Sequence, residues 1–270
     1  MQQLTNRKRI RGYLQIAIIA VLCACTALLD IIEIPFIKEE FYNRLLCKII
    51  QQACGSAAGI LIILRLGIRL FDKPQNLLYL LPCLLISVDN FQFSAYINGK
   101  MQLIHTAPQD FVLFFVYCML VGLFEEIIFR GIIFAVLAGL FSKDKRGFLW
   151  TYVCSSLVFG LAHLFNGFSV GALLQAGYTI LTGGLFAFCF IKTKNILCCA
   201  FVHGIFNFCG LLFDERGLGS GVAFDAGTII TMLVVSVLVG IFVLYKVWQY
   251  SDVEREELYR RLGLTKNHME

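Results

Sequence analysis

Long apolar runs separated by short polar connections dominate this chain from one end to the other. A membrane-spanning helix needs about 20 predominantly apolar residues, and several runs approach that length. They cover residues 13–29, 46–68, 76–88, 109–141, 148–165, 170–191, 195–213 and 226–248. The pattern therefore predicts an all-α fold, a polytopic transmembrane helix bundle of about eight spans.

The fourth run, residues 109–141, is longer than one straight crossing of a bilayer requires. Its 33 residues would extend about 50 Å as a continuous helix. We expect this helix to kink, to tilt or to extend beyond the bilayer. In the second run, the stretch GSAAG places Gly55 and Gly59 four residues apart, which predicts a close helix contact within the bundle.

The composition agrees with a membrane protein and excludes an ordinary soluble domain. Hydrophobic residues make up 59% of the chain and charged residues 15%, whereas soluble domains average about 45–50% and about 25%. The net charge of +5 is carried at the ends of the predicted helices. There it favours membrane topology and contact with the lipid bilayer, and it gives no indication of nucleic-acid binding.

Basic residues are concentrated in alternate connections between the apolar runs. They occur before residue 12, at 65–73, at 143–146, at 192–194 and in the carboxyl-terminal tail. Because basic connections face the cytoplasm, we expect a multi-pass protein of the cell membrane with both termini cytoplasmic. Residues 13–29 would be a retained signal anchor, and the tail is predicted to form a short solvated helix.

The eleven cysteines show no spacing that indicates chemistry. Nearly all lie within or beside apolar runs, and none forms a C-x-x-C pair. Cys198 and Cys199 are adjacent, which suits neither a disulfide nor a metal site. We interpret the cysteines as small apolar filler in a lipid environment.

Three ionisable residues interrupt the fourth run in the stretch GLFEEIIFRG, residues 122–131. Each such group costs about 2.5–3.5 kcal/mol in the centre of a span and is a functional candidate for that reason. On a helix, Glu126 and Arg130 share one face and can pair, whereas Glu125 lies about 100° away. We predict that Arg130 holds Glu126 while Glu125 faces another group. An ion pair with a spare carboxylate at a solvated helix end is the alternative.

Two further runs each carry a histidine with a partner on the same helix face. In FGLAH, Phe159 precedes His163 by four residues, and in HGIFN, His203 precedes Asn207 by four. Gly204 leaves space beside the second backbone. Taken separately, an interfacial histidine and a polar helix–helix contact would explain these pairs.

Taken together, the polar residues of the three runs form a set with definite chemistry. A carboxylate, two imidazoles and a carboxamide are the groups that activate water and stabilise an oxyanion. Glu125, His163 and His203 are also ligand types that bind zinc in some proteases. The spacing by itself leaves both possibilities open.

The three motifs resemble those of a known family. E-E-x-x-x-R at 125–130, F-x-x-x-H at 159–163 and H-x-x-x-N at 203–207 occur in this order on separate predicted spans. In this the chain resembles the CPBP intramembrane proteases, also called the Abi or CAAX-protease family. The resemblance covers 108–213, a CPBP-like catalytic helical core. Residues 1–107 contain spans without a recognised motif, and 214–270 contain the last span and the cytoplasmic tail.

The resemblance implies an α-helical intramembrane endopeptidase. It would hydrolyse peptide bonds of membrane-anchored or lipidated substrates, as does the enzyme that removes the last three residues of prenylated CAAX proteins. By position, Glu125 would be the general base and His163 would assist at the water. His203 and Asn207 would stabilise the oxyanion. The side chains of Glu126, Arg130 and Phe159 would support these groups.

The mechanism and two other function classes stay open at this point. Zinc could be bound by Glu125, His163 and His203, in which case Glu126 would be the base. Without a metal, Glu125 would act alone as the base. The chain could instead be a non-catalytic bacteriocin-immunity or scaffolding member of the family. A transporter with a proton relay would require inverted repeats or broken helices.

Overall fold

The structure, a computed structural model, describes residues 33–166, 170–221 and 225–264, apart from the side chains of residues 165–175. The α-helices, numbered in chain order, are α1 Glu40–Arg65, α2 Leu80–Asp89, α3 Phe93–Ile97, α4 Pro108–Glu126, α5 Phe134–Leu140, α6 Lys145–Ala162, α7 Val170–Thr193, α8 Ile196–Leu211, α9 Ala226–Trp248 and α10 Asp252–Arg261. A π-helical segment, Ile127–Ile133, joins α4 to α5. Short 3₁₀ helices cover Leu77–Tyr79 and His163–Asn166, and strands β1 Met101–Leu103 and β2 Gly219–Gly221 pair antiparallel.

The predicted all-α membrane bundle is confirmed. The helical stretches that are long and apolar enough to cross a membrane are Glu40–Arg65, Leu77–Ile97, Pro108–Leu140, Ala176–Thr193 and Ala226–Trp248. The predicted spans 148–165 and 195–213 correspond to α6 and to the shorter apolar helix α8. The predicted span 13–29 lies outside the described residues. The chain is thus an integral, multi-pass membrane protein. The total of eight spans, the division into three regions and the cytoplasmic termini stay predictions.

Helix α7 lies at the centre of the bundle. Its stretch Ala176–Thr193 is the most deeply buried of the candidate spans, whereas Ala226–Trp248 is the most exposed. Phe186, Phe188 and Phe190 are almost completely buried and pack with apolar residues of the π segment and of α8. The outer helices expose many leucine, isoleucine and valine side chains, as a lipid-facing surface allows.

The long fourth run forms one continuous helical stretch, Pro108–Leu140. It contains the π-helical segment Ile127–Ile133, which begins directly after Glu126 and includes Arg130. Single π-helical turns inside α-helices occur frequently at functional sites. The irregularity of this helix therefore lies where the sequence places its intramembrane charges.

Helix α1 packs against α4 and the π segment through the glycines of GSAAG. A β-carbon on Gly55 would lie 2.5 Å from the ring of Phe124, and a β-carbon on Gly59 would lie 2.5 Å from Ile127 Cγ2. Neither position has room for a side chain. The predicted close contact is confirmed, and it is made inside the chain.

Helix α10 of the tail is docked on the bundle. Lys192 Nζ donates to Glu254 Oε1 at 2.9 Å, and Lys194 pairs with Glu257. We call these two ion pairs the tail clasp. The apolar side chain of Leu258 is buried beneath the helix. The expectation of a solvated tail helix is wrong, because the basic residues at the end of α7 pair with its acidic face.

Candidate active site

Two glycines at the crossing of α4 and α8 bring the charged segment to the histidine of α8. A β-carbon on Gly122 would lie 2.7 Å from the carbonyl oxygen of Ala200 and 2.8 Å from the nitrogen of Gly204. A β-carbon on Gly204 would lie 3.0 Å from the Cα of Met119. Because these neighbours are backbone atoms, they cannot rotate away. The space expected beside Gly204 is thus filled by the partner helix.

Glu126 and Arg130 form the predicted ion pair. Arg130 Nη1 donates to Glu126 Oε1 at 2.9 Å, and both side chains are 0% exposed. Arg130 Nη2 donates to the carbonyl oxygen of Gly183 at 2.7 Å, and the guanidinium lies 4.5 Å from the ring centre of Phe159. A buried charge is tolerated when it is paired and hydrogen-bonded, and these contacts provide that pairing.

The same carboxylate orients His203. His203 Nδ1 lies 2.8 Å from Glu126 Oε1. An ionised carboxylate only accepts hydrogen bonds, so Nδ1 carries the hydrogen. The ring of Phe186 stacks on the imidazole with centroids 4.4 Å apart and planes inclined by 20°. The imidazole is thus held at one edge and on one face, and its Nε2 is left to face Glu125.

Glu125 lies at the Nε2 side of this imidazole. Its Oε2 is 3.7 Å from His203 Nε2, and the side chain is 26% exposed. This oxygen is itself buried and has no hydrogen-bond partner among the described residues. A buried acceptor without a partner is costly, so this is a position for a water or a substrate group. The predicted division, in which Arg130 holds Glu126 and Glu125 faces another group, is confirmed.

The charges of Glu126 and Arg130 cancel each other, because the two side chains form a buried ion pair. Beside this pair, Glu125 Oε2 faces His203 Nε2. A carboxyl group and an imidazole can each accept and donate a proton. The two residues therefore form a pair that can take part in proton transfer.

His163 joins the site through Phe159. Its Nδ1 lies 3.0 Å from the carbonyl oxygen of Phe159. That oxygen accepts, so Nδ1 donates and Nε2 of the neutral ring is left as an acceptor. The Phe159 ring lies 5.1 Å from the His163 ring and 5.7 Å from the His203 ring. The structure therefore brings both imidazoles to one phenylalanine. No ion pair links His163 to Glu125 among the described side chains.

Asn207 lies one helical turn beyond His203 on α8 and is half-buried. Residues four apart share a helix face, so its amide is on the side of α8 that carries the imidazole. The amide makes no hydrogen bond to any residue that the structure describes. Its N–H donors are therefore not used by any of the described residues.

The three residues considered as zinc ligands do not form a metal-binding cluster. Throughout the described part of the chain, no group of three or more His, Cys, Asp or Glu side chains could hold a metal ion. The side chains of Glu125, His163 and His203 thus do not converge on one point in this arrangement, and we assign no chemical step to a metal.

Three contacts of the site come from residues outside the motifs. Phe186 stacks on His203 and the Gly183 carbonyl receives Arg130, yet nothing in the sequence of α7 marks these positions. Cys199 Sγ lies 2.8 Å from Glu126 Oε2, so the interpretation of the cysteines as apolar filler is wrong for this residue. Its position four residues before His203 is the signal that could have placed it on the same helix face. All described cysteines are free thiols.

A comparison with protein families identifies the motif-bearing region. Residues 107–209 match the family model described as "Type II CAAX prenyl endopeptidase Rce1-like". The match contains all three motifs, so the resemblance to the CAAX-protease family is confirmed for this part of the chain. This region is thus similar to a family described as prenyl endopeptidases. No curated protein and no solved structure shows significant similarity to the chain.

Proposed function

We propose that the protein is an intramembrane endopeptidase that hydrolyses a peptide bond of membrane-anchored or lipidated substrates with water activated by Glu125. The observation that carries this proposal is the position of Glu125 Oε2, 3.7 Å from His203 Nε2 within a membrane bundle. This oxygen is buried and has no hydrogen-bond partner among the residues that the structure describes. The match of residues 107–209 to type II CAAX prenyl endopeptidases supports the same reaction class.

In the first step, water bound at Glu125 attacks the carbonyl carbon of the peptide bond. The Glu125 carboxylate takes one proton from this water as the new C–O bond forms, and general-base catalysis of this kind contributes about 10²–10⁴-fold. His163 Nε2, which is left as an acceptor, accepts a hydrogen bond from the second O–H of this water and aligns its oxygen. Glu126 and Arg130 transfer no proton and keep His203 in place.

The carbonyl oxygen becomes negatively charged in this step and needs hydrogen-bond donors. His203 donates from Nε2 in its protonated form, and Asn207 donates from its amide N–H. Donors aimed at a developing oxyanion commonly form the largest single contribution to catalysis. When the C–N bond breaks, the proton held by Glu125 passes to the leaving amine, and the site returns to its starting charge.

The position of the site fits a substrate that is itself held in the bilayer. The helices around it expose apolar side chains to the lipid phase, while the Glu125 side chain is partly exposed. A lipid chain or apolar segment on the substrate would bind in the same phase. It would thereby place the adjacent peptide bond near Glu125 at little cost in orientational entropy.

Cleavage of a defined peptide by purified protein tests the proposal. The probe is a fluorogenic peptide with a farnesylated cysteine and three following residues, presented in liposomes. Glu125→Gln should lower turnover by about 10²–10⁴-fold with an unchanged melting temperature. Glu40→Gln is the matched control, since Glu40 is exposed in the first turn of α1, and it should cleave like the wild type.

The outcomes separate the function classes. Normal turnover by Glu125→Gln would overturn the proposal. Peptide binding without cleavage, in wild type and variant alike, would indicate a non-catalytic member of the family. Proton-coupled flux into liposomes without cleavage would indicate a transporter.

A further inference from the structure

Three buried cysteines lie beside the site, and one of them touches its central carboxylate. Cys83, Cys189 and Cys199 are all fully buried. Cys199 Sγ lies 2.8 Å from Glu126 Oε2 and 3.1 Å from the carbonyl oxygen of Phe186. A thiol has one hydrogen, and a charged acceptor attracts it more strongly than a neutral carbonyl. The S–H of Cys199 therefore points to Glu126.

The hydrogen bonds of Glu126 show what this thiol contributes. Oε1 accepts from Arg130 Nη1 at 2.9 Å and from His203 Nδ1 at 2.8 Å. Among the described residues, the only donor to Oε2 is Cys199. The terminal torsion of a glutamate is broad, so two donors on Oε1 leave the plane of the carboxylate poorly fixed. A third donor on Oε2 fixes it.

The orientation of this plane determines the position of the imidazole. Glu126 holds the Nδ1 edge of His203, and Phe186 covers one face of the ring. Cys199 touches the first of these supports through its side chain and the second at its backbone carbonyl. Cys199 and His203 are also four residues apart on α8, so both side chains approach Glu126 from the same helix face.

We propose that Cys199 is a positioning residue, which fixes the carboxylate of Glu126 and thereby aims His203 Nε2 at the reacting carbonyl. The inference rests on the proposed hydrolase function for its kinetic readout. A thiol suits this place because it is a weak donor that behaves otherwise as a small apolar group. It orients the carboxylate without displacing the stronger hydrogen bond from His203.

Donor-free and donor-bearing variants test the role. Cys199→Ala removes the donor, and Cys199→Ser keeps one at nearly the same place. Cys118→Ala is the matched control, since Cys118 is equally buried, lies in another apolar cluster and has no hydrogen bond to Glu126 among those described. We expect Cys199→Ala to lower kcat by about 10- to 100-fold with KM little changed, as a misaligned catalytic group does. Cys199→Ser should recover most of the rate, and Cys118→Ala should stay within about twofold of the wild type.

A spectroscopic readout separates this inference from the proposed function. The ¹⁵N chemical shifts of the His203 ring, measured on protein labelled at histidine, should change in Cys199→Ala and stay as in the wild type in Cys199→Ser and Cys118→Ala. This result would support the positioning role even if the wild type cleaved no farnesylated peptide, which would refute only the hydrolase. If Cys199→Ala fails to fold, Cys199→Val provides a donor-free variant of similar volume. Equal behaviour of the alanine variants of Cys199 and Cys118 in both readouts would overturn the inference.

Discussion

The carboxylate of Glu125 lies 3.7 Å from Nε2 of His203, while the neighbouring Glu126 holds Nδ1 of the same ring. Two adjacent glutamates thus contact the two nitrogens of one imidazole. Glu126 is fully buried, paired with Arg130 and fixed, whereas Glu125 keeps an oxygen without a partner among the described residues. Because of this difference, we assign to Glu126 the role of holding His203 and to Glu125 the role of the general base. The following predictions test the site and the fold around it.

The glycine crossing of α4 and α8 should be indispensable for activity. Gly122→Ala places a methyl group 2.7 Å from the carbonyl oxygen of Ala200, so the helices must separate and carry the glutamates away from His203. Displacement by about 1 Å can cost about 10²-fold in rate. Peptide cleavage measures this loss. Gly240→Ala, on α9 with nothing within 4 Å, is the control, and equal activity of both variants would contradict the prediction.

Removing Arg130 should destabilise the protein strongly. Arg130→Met leaves the fully buried Glu126 without its cation, and breaking such a pair costs about 3–5 kcal/mol. Arg69→Met removes a 60% exposed partner of Asp72 and should cost about 0–1 kcal/mol. Reversible unfolding in mixed micelles gives both free energies of unfolding. Similar values for the two variants would show that the buried pair contributes no special stability.

Asn207 should contribute to the transition state alone. Asn207→Ala is expected to lower kcat by about 10²–10³-fold, the cost of removing one oxyanion donor, with KM nearly unchanged. Asn207→Asp keeps the size and replaces the donor by a carboxylate, so it should be at least as impaired. Steady-state kinetics on the farnesylated peptide measure both. An unchanged rate in Asn207→Ala would remove this residue from the mechanism.

Cleavage should survive the removal of metal ions. Every proposed step uses protein side chains, and the described residues contain no cluster that could hold a metal. Treatment with 1,10-phenanthroline, followed by metal analysis of the purified protein, tests this directly. Loss of activity that added zinc restores would show that the site rearranges around a metal ion.

The tail clasp should open in acid. Burial acts to raise the pKa of Glu257, but its hydrogen bond and charge interaction with Lys194 outweigh burial, so the pKa lies below the ordinary value. Burial also acts to raise the pKa of Glu254, but the hydrogen bonds from Ser251 and Lys192 outweigh it. The pKa of Glu254 therefore also lies below the ordinary value. Because both folded-state pKa values are depressed, the clasp stabilises the docked helix fully above about pH 4.3, the ordinary glutamate value. That stabilisation is lost as the pH falls through the lowered values.

Hydrogen exchange of α10 between pH 7 and pH 3 measures this opening, after correction for the intrinsic exchange rate. The double variant Glu254→Gln/Glu257→Gln has no clasp carboxylate to titrate. Its protection should be weaker at pH 7 and should change less towards pH 3. The same pH response in the double variant and the wild type would contradict the prediction.

Several features of the fold and the site follow from local pattern and could be predicted. Apolar run length indicates membrane helices, and helical periodicity pairs Glu126 with Arg130 and separates Glu125 from both. The spacing of the small residues Gly55 and Gly59 predicted a close helix contact. These predictions succeed because each depends on residues of a single helix. The apolar environment of that helix is already evident from the composition of the chain.

Other features could not be predicted because they join distant parts of the chain. Phe186, Gly183 and Cys199 enter the site from two helices, and none of them interrupts an apolar pattern. The docking of α10 depends on Lys192 and Lys194, which the sequence presents only as a topology signal. The apolar pattern of one helix does not show which residues of other helices will contact it.

By itself, the sequence determined a helical membrane protein with functional polar residues in three spans and one ion pair within a helix, since hydrophobic length and helical periodicity act locally. Only the tertiary structure decided that Glu126 and His203, 77 residues apart, share a hydrogen bond. It also decided that Cys199 donates to the other oxygen of the Glu126 carboxylate. These contacts depend on how closely α4 and α8 cross. The distance between the two helices is determined by direct contact between their backbones at Gly122 and Gly204.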